Sequence, residues 1–259
     1  METIFDPSLF DTVGIIMVCL APIVFLALHR VTAGYGIART KAWGPAVDNR
    51  LGWVLMESPV FFAMLWIWLS SPRRAEVAPA VMASLFLLHY FQRSFIFPLL
   101  IKGKSRMPLS IVAMGITFNL INAYLIGGWL FHMAPADRYP VSWLASPQFI
   151  AGMILFFAGM AININSDHIV RNLRRPGDTR HYIPRGGMFR YVTSANYFGE
   201  FTEWVGFAIL TWSWPAAVFA LWTFANLAPR ARSLHHRYIS EFGEDYSSLH
   251  RRYIIPFIY

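Results

Sequence analysis

Apolar residues occur in seven long stretches along the chain, and short polar segments separate them. Each stretch approaches the roughly 20 residues that an α-helix needs to cross a bilayer. The stretches cover approximately residues 12–28, 51–70, 77–101, 109–133, 147–166, 195–212 and 215–229. This pattern predicts an all-α integral membrane protein with seven transmembrane helices in a single domain, residues 1–259.

The last two stretches meet at the segment Trp212-Ser213-Trp214-Pro215. Proline cannot continue the interior of a helix, because it lacks the backbone N–H and its ring clashes with the preceding turn. We therefore predict a tight turn at this point. The seventh helix is expected to extend beyond the bilayer into the polar segment 230–238.

The lysine and arginine residues predict how the chain is oriented. If the N-terminus lies outside, the loops on the cytoplasmic side contain eighteen of these residues and the outer loops contain three. Short cytoplasmic loops are enriched in basic residues. The sequence therefore predicts an N-terminus outside and a C-terminus in the cytoplasm.

Composition supports a membrane protein, since 56% of residues are hydrophobic and 14% are charged. Soluble domains carry about 25% charged residues. The net charge of +8 lies almost entirely on the cytoplasmic face, where it fits either anionic lipid headgroups or a soluble anionic ligand. We expect no nucleic acid partner, because no nucleic-acid-binding module is recognisable. A single cysteine, Cys19, excludes a disulfide framework and a cysteine-bound metal cluster.

Glu57 is a lone carboxyl within the second apolar stretch, LGWVLMESPVFFAMLWIWLSS. A charged group at membrane depth costs a few kcal/mol or more, so such residues usually face an interior cavity and have a function there. Desolvation favours the protonated form of a carboxyl. We therefore expect Glu57 to be neutral and able to donate a hydrogen bond.

Four of the predicted helices carry polar residues at helical spacing, where positions i, i+3 and i+4 share a face. These faces comprise Tyr90 and Arg93 on the third helix, Asn119 and Asn122 on the fourth, Asn163, Asp167, Arg171 and Arg174 on the fifth, and Asn196, Glu200 and Glu203 on the sixth. Such residues often only bond one helix to another, and we favour that interpretation for Asn119 and Asn122. For Glu57, Glu200 and Glu203 we favour function. Asp167 fits either, because Arg171 is placed to form a plain local ion pair with it.

The sequence lacks the motifs of two other kinds of site, a metal site and a loop-bound nucleotide site. The sequence contains no HExxH, no CxxC and no paired-histidine spacing, so we expect no metal. It also contains neither GxGxxG nor GxxxxGK[ST], which excludes a Rossmann or P-loop nucleotide site. A nucleotide would therefore bind between helices.

Several of these segments resemble the steroid 5-alpha-reductase family. The segments that carry the resemblance are Trp53, MESP at 56–59, HYFQR at 89–93, NINSDHIVRNLRRPGD at 163–178, IPRGGMF at 183–189, ANYFGE at 195–200, EW at 203–204 and IPF at 255–257. They are long and specific, and they cover nearly the whole chain at similar spacing.

This resemblance implies a membrane reductase that uses NADPH to reduce the 4,5 double bond of a 3-oxo-4-ene steroid. It implies that Glu57 and Tyr90 are catalytic and contact the 3-keto oxygen. The cofactor-binding positions that it implies are Arg93, Lys104, Asn163, Asp167, Arg174, Asn196, Arg230, His235 and Tyr238. The positions that it implies around the substrate and nicotinamide are Trp53, Phe118, Glu200 and Trp204. Most of the cofactor site is thus expected within residues 147–259.

Three alternatives remain open at this point. The first is a related membrane methyltransferase or sterol reductase, and the second is a reductase of another lipid enone or enal, such as a polyprenal or an enoyl thioester. The third is a non-enzymatic transporter or receptor. The expected partners are a steroid-like lipid substrate and membrane lipids. We expect a monomer in a bacterial inner membrane or the endoplasmic reticulum.

Overall fold

The computed structural model describes residues 4–31, 43–103, 105–174, 178 and 180–259. Helices dominate these ranges, and the only strands within them form one short ribbon. The elements are α1 (Pro7–Leu28), β1 (Ala46–Asp48), α2 (Asn49–Ser70), α3 (Val77–Phe91), α4 (Phe97–Leu100), β2 (Arg106–Pro108), α5 (Leu109–Gly128), α6 (Pro147–Arg171), α7 (Ala195–Thr211), α8 (Trp214–Phe242) and α9 (Glu244–Ser247). The predicted all-α class is therefore confirmed for the described residues.

Five helical segments are long and apolar enough to cross a membrane. They are Pro7–Leu28, Asn49–Ser70, Val77–Leu100, Leu109–Met133 and Pro147–Arg171, and they coincide with the first five predicted spans. The sixth and seventh predicted spans correspond to α7 and α8, which are helical but do not meet the same criterion. Seven crossings and the orientation of the termini thus remain predictions.

Polar side chains at the N-cap position begin three of the long helices. The Asp6 carboxylate accepts hydrogen bonds from the backbone N–H groups of Ser8 and Leu9 at the start of α1. Asp48 caps α2 in the same way, and Ser146 caps α6. Each cap satisfies N–H groups that have no partner within the helix.

A π-helical turn, Gln92–Ile96, separates α3 from α4. Pro98 follows this turn, and proline removes the hydrogen bond that would reach the residue four positions earlier. π-helical turns interrupt α-helices most often at functional sites. Here the turn contains Arg93, one of the predicted site residues.

The predicted turn between the last two spans is confirmed. α7 ends at Thr211, Trp212 adopts a left-handed conformation with φ 46, and α8 begins at Trp214. α8 then continues without interruption to Phe242, so the expected extension into the polar segment 230–238 is also confirmed.

Helices α6 and α7 approach so closely that their backbones touch. Gly152 and Gly159 on α6 face Gly206 and Gly199 on α7, seven residues apart on each helix. A Cβ atom on Gly159 would lie 2.3 Å from the backbone N of Glu203 and 2.6 Å from the carbonyl O of Gly199. Small residues permit such approach between membrane helices, and here they bring the polar faces of α6 and α7 together.

The strands β1 and β2 form an antiparallel ribbon, in which Val47 is opposite Met107. Each strand leads directly into a long helix, β1 into α2 and β2 into α5. The first N–H of each helix donates to the other segment: Asn49 N–H to the Ser105 carbonyl at 3.1 Å, and Leu109 N–H to the Pro45 carbonyl at 2.9 Å. The sequence analysis did not predict this ribbon.

The segments between helices gather at two opposite ends of the bundle. At one end, the Ser71 hydroxyl donates to the Phe131 carbonyl at 2.9 Å and the Tyr139 hydroxyl to the Thr211 carbonyl at 2.7 Å. At the other end, the Lys102 ammonium donates to the Asn172 side chain at 2.7 Å. This end also contains the ribbon. The predicted outer loops thus meet at one end and the predicted cytoplasmic loops at the other.

Candidate functional site

Helix α3 and the turn after it place two predicted site residues on one face. Tyr90 lies in the penultimate position of α3, and Arg93 lies within the π-helical turn. Both are buried. Each contacts a different group of polar side chains, and these groups form two adjoining parts of the candidate site.

The first part is the amide cluster, which we define as Glu57, Tyr90, Asn119 and Asn122. The Asn119 side-chain N–H₂ donates to Glu57 Oε2 at 2.9 Å and to the Met56 carbonyl at 3.1 Å. The Tyr90 hydroxyl lies 3.4 Å from Asn119 Oδ1 and accepts from Asn122 at 3.4 Å. Asn119 therefore joins the carboxyl of α2 to the phenol of α3, which the sequence analysis did not anticipate.

The second part is the arginine cluster, which we define as Arg93, Asp167 and Glu200. The Arg93 guanidinium lies 3.3 Å from Asp167 Oδ2 and 3.4 Å from Glu200 Oε2. It also lies over the rings of Trp53 and Phe97, with centroid distances of 4.6 and 4.5 Å. Aromatic faces attract a guanidinium, so the charge is held by two carboxylates and two rings.

Asp167 also receives a hydrogen bond from Asn196, at 3.2 Å from its Oδ1. Asn163 in turn donates to the Asn196 backbone carbonyl at 2.9 Å. The predicted polar faces of α6 and α7 are therefore in contact with each other. The cation at Asp167 is Arg93 from another helix, whereas the Arg171 guanidinium lies 3.3 Å from His168. The possible local pair of Asp167 with Arg171 is replaced by a tertiary contact.

Aromatic rings form the surface between the two clusters and α8. Trp204 is fully buried, and its ring lies 5.9 Å from that of Tyr90 and 4.4 Å from that of Phe219. Phe118 lies 5.8 Å from Phe219 on the other side. Trp204 and Phe118 therefore belong to one aromatic layer next to the amide cluster.

A further buried pair was not predicted in this arrangement. His89 Nδ1 lies 2.8 Å from Glu203 Oε1, and only 6% and 1% of these two side chains are exposed. The His89 ring also packs against Trp204 at 4.6 Å. The pair thus connects α3 to α7 directly behind Tyr90. The sequence analysis identified Glu203, but no local pattern indicated its partner.

Three further predicted residues, Arg230, His235 and Tyr238, lie on the later part of α8. Arg230 lies over the Tyr197 ring at 5.6 Å. His235 Nδ1 lies 2.7 Å from Thr193 Oγ1 and 3.0 Å from the Tyr246 hydroxyl. Burial lowers the pKa of His235 to about 4, with smaller effects from the positive charges of His236 and Arg251. His235 is therefore neutral at pH 7 and takes part in a network of uncharged hydrogen bonds.

Tyr238 is buried one turn further along α8. Burial raises its pKa to about 12, and Tyr246 adds to that shift while Arg251 and Arg174 oppose it. The charge of Arg174 thus acts at Tyr238, although Arg174 itself is exposed. Lys104 lies outside the described residues. Within the described ranges, no group of three or more His, Cys, Asp or Glu side chains is placed to hold a metal ion.

Comparison with known proteins now supplies a family. Residues 105–259 match the family model described as 3-oxo-5-alpha-steroid 4-dehydrogenase. The chain is 41% identical over 244 residues to 3-oxo-5-alpha-steroid 4-dehydrogenase 1 of Macaca fascicularis, covering 93% of this chain and 91% of the relative. It is 36% identical over 265 residues to steroid 5-alpha-reductase DET2 of Arabidopsis thaliana, covering all of both chains. The similarity to the human 3-oxo-5-alpha-steroid 4-dehydrogenase 1 is 41% identity over 238 residues, which cover 91% of this chain and 90% of that relative.

These matches confirm the resemblance found in the sequence motifs, and they extend over nearly the entire chain. Together, the family model and the full-length similarity show that the chain belongs to the 3-oxo-5-alpha-steroid 4-dehydrogenase family.

Proposed function

We propose that this protein uses NADPH to reduce the 4,5 double bond of 3-oxo-4-ene steroids. The relatives are named as steroid 5-alpha-reductases and 3-oxo-5-alpha-steroid 4-dehydrogenases. The observation that carries the proposal for this chain is the amide cluster, where a carboxyl and a phenol from two helices meet at one amide. Both are groups that can donate a hydrogen bond to a ketone.

The chemistry of an enone explains why two such donors are useful. Addition of hydride to C5 moves electrons onto the 3-keto oxygen, and an enolate forms before C4 takes up a proton. Donors aimed at an oxygen where charge develops stabilise the transition state more than the ground state. Ketosteroid isomerase, a documented example, uses a tyrosine with a protonated aspartic acid for this purpose. Glu57 and Tyr90 fit those two roles.

The residues around the arginine cluster fit a dinucleotide. A bound NADPH supplies the hydride for C5. The amides of Asn163 and Asn196 and the carboxylate of Asp167 are suited to ribose hydroxyls and a carboxamide, while guanidinium groups suit phosphates. At the cytoplasmic end, the buried Arg251 keeps Nε and Nη1 without a hydrogen-bond partner among the described residues. Such unsatisfied donors fit an anionic ligand.

The remaining positions rest on the family resemblance. Arg93, Lys104, Arg174, Arg230, His235 and Tyr238 complete the proposed cofactor site. Trp53, Phe118, Glu200 and Trp204 border the substrate and nicotinamide. Most of this cofactor site lies in residues 147–259 of a single domain.

The membrane supplies the other ligand. We propose seven transmembrane helices, with the N-terminus outside and the C-terminus in the cytoplasm. A steroid dissolves in the acyl region and enters between helices, while the cofactor arrives from the cytoplasm. The protein acts as a multi-pass monomer in a bacterial inner membrane or the endoplasmic reticulum.

The test is turnover of testosterone or progesterone by the purified protein, followed by NADPH oxidation and product identification. We expect Glu57→Gln and Tyr90→Phe each to lower kcat by about 10²–10³, as loss of one oxyanion donor does elsewhere. Two matched controls are Glu76→Gln and Tyr124→Phe, whose side chains bond Arg73 and the Ile4 carbonyl away from the site. Near-normal turnover in the Glu57 or Tyr90 variant would contradict the donor roles.

The same assay separates the alternatives. A panel of enones that includes a polyprenal and an enoyl thioester identifies the substrate class. Binding of S-adenosylmethionine without NADPH oxidation would instead indicate a methyltransferase, and ion flux without nicotinamide binding would indicate a transporter.

A further inference from the structure

Asn119 occupies the centre of the amide cluster, and the sequence analysis gave it no catalytic part. It is 5% exposed, and its side chain contacts α2 on one side and α3 on the other. An asparagine amide has two donor hydrogens on Nδ2 and an acceptor on Oδ1. Which end faces which helix therefore determines what Glu57 and Tyr90 can do.

The hydrogen-bond network itself fixes the orientation of this amide. Met56 O is a backbone carbonyl and can only accept, and it lies 3.1 Å from Asn119 Nδ2. The N–H₂ end must therefore face α2, because an oxygen in that place would meet a second acceptor. Consequently Oδ1 faces Tyr90.

This orientation selects one oxygen of Glu57. Oε2 accepts from Asn119 at 2.9 Å, an ordinary length for an N–H···O bond. An oxygen that accepts this hydrogen bond favours the unprotonated position, so the proton of a neutral Glu57 lies on Oε1. The proton thereby lies on the Glu57 oxygen that does not contact Asn119.

The same orientation of Asn119 determines which hydrogen bonds Tyr90 makes before a substrate binds. Its hydroxyl donates to Asn119 Oδ1 and accepts from Asn122, and both separations are 3.4 Å. Hydrogen bonds of this length are long for a hydroxyl, and catalytic bonds are often long before the substrate binds. The Tyr90 hydrogen can thus turn from Asn119 to a ketone at small cost.

We propose that Asn119 is a positioning residue that directs both hydrogen-bond donors of the site at one ketone oxygen. It places the Glu57 proton on Oε1 and keeps the Tyr90 hydroxyl beside that carboxyl. The inference rests on the proposed function, since it requires Glu57 and Tyr90 to act on a carbonyl. It adds a residue that acts through both of them without touching the substrate.

The first test is the effect of Asn119→Leu, which keeps the branching of the side chain at Cγ and removes every hydrogen bond. We expect kcat to fall about tenfold to a hundredfold, as for a small misplacement of reacting groups, with little change in KM. Asn122→Leu removes only a contact to Tyr90 and should have a smaller effect. Thr117→Val, on an exposed part of the same helix, is the control for substitution within α5 and should leave kcat unchanged.

A double-mutant cycle distinguishes positioning from packing. Because Asn119 acts through both Glu57 and Tyr90, Asn119→Leu should cost clearly less kcat once Glu57→Gln is present than it costs alone. A role in packing alone predicts that the two losses multiply. Multiplied losses would overturn the inference.

A third measurement does not depend on turnover. The infrared C=O stretch of protonated Glu57, assigned by its loss in Glu57→Gln, should shift in Asn119→Leu, because Oε2 loses its donor. An unshifted band would overturn the inference and leave the proposed function standing. Absence of any such band in the unsubstituted protein would mean that Glu57 carries no proton, and would overturn both the inference and the neutral acid of the proposed function.

Discussion

The amide cluster and the arginine cluster adjoin along one face of α3 and the turn after it, but they are built in different ways. In the amide cluster, the contacts run through two side-chain amides, a phenol and one carboxyl. In the arginine cluster, one guanidinium contacts two carboxylates and two aromatic rings. Tyr90 and Arg93 belong to different clusters although they are only three residues apart.

The helices beneath the clusters differ as well. The arginine cluster lies over the α6–α7 contact, where backbone meets backbone at Gly159 and Gly199. The amide cluster lies between α2 and α5, where Gly115 faces the flexible side chain of Met56. One region is thus fixed by main-chain contact, and the other by side chains that can adjust.

This difference matches the two ligands that we propose. The dinucleotide is charged, and the same molecule binds in every turnover. A rigid and charged site therefore suits it. A steroid ketone is neutral and greasy, and steroids differ in their substituents. A site of hydrogen-bond donors that is surrounded by adjustable side chains suits such a substrate.

The largest effect that we expect from this comparison is at Arg93. Arg93→Leu leaves the partly buried Asp167 and Glu200 without their cation, and the loss should approach the roughly 3–5 kcal/mol that breaking a buried pair costs. The midpoint of thermal unfolding in detergent, followed by tryptophan fluorescence, should fall accordingly. By comparison, Asn122→Leu in the amide cluster removes one long hydrogen bond and should lower the midpoint only slightly.

A compensating variant sharpens this test. Arg93→Leu combined with Asp167→Asn and Glu200→Gln removes the unpaired charges and should recover much of the lost stability, although not cofactor binding. If Arg93→Leu alone is as stable as the unsubstituted protein, the arginine cluster is not held together by charge.

The second prediction compares the two helix contacts. Gly159→Ala introduces a Cβ against the backbone of α7, so a helix has to move, and overpacking of this kind typically costs about 1–3 kcal/mol. Gly115→Ala places its Cβ 2.3 Å from the Met56 side chain, which can turn away. We therefore expect a clearly lower unfolding midpoint and weaker NADPH binding for Gly159→Ala than for Gly115→Ala. Equal effects would mean that the two contacts are equally rigid.

The smallest effect concerns the pH dependence of stability at His235, on the later part of α8. Burial lowers the pKa of His235 to about 4, and His236 and Arg251 contribute smaller shifts in the same direction. An unperturbed histidine has a pKa of about 6.5. Between these pH values the unfolded chain binds more protons than the folded protein. The contribution of His235 to the free energy of unfolding is therefore full above about pH 6.5 and is lost as the pH falls toward about 4. The slope of unfolding midpoint against pH should flatten in His235→Asn.

His236→Asn serves as the control for this slope, because His236 is the adjacent and exposed residue. Its profile should retain the decline at low pH.

Much of the fold follows from local patterns in the sequence. Apolar length predicted the long helices, and Pro215 predicted the turn before α8. Helical spacing correctly placed Asn163 with Asp167 and Tyr90 with Arg93 on shared faces. These successes all concern residues within about a turn of each other, where geometry is fixed by one helix.

The parts that sequence reasoning missed depend on contacts between distant segments. Helical spacing offered Arg171 as one possible partner of Asp167, whereas tertiary packing provides Arg93. Likewise nothing near Asn119 indicated that it would meet both Glu57 and Tyr90. One signal was available: Gly152 and Gly159, and Gly199 and Gly206, are each seven residues apart, which places each pair on one face of its helix, where small residues permit close packing.

The small ribbon of β1 and β2 gives helices α2 and α5 a common starting level in the membrane. α2 and α5 both start from it, and their first N–H groups are tied across it. At 1.5 Å per residue, Glu57 lies about 12 Å and Asn119 about 15 Å along their helices. Inserting one residue after either strand would rotate that helix by about 100° and shift it by about 1.5 Å. The ribbon therefore determines the depth at which the Glu57 carboxyl and the Asn119 amide meet inside the helix bundle.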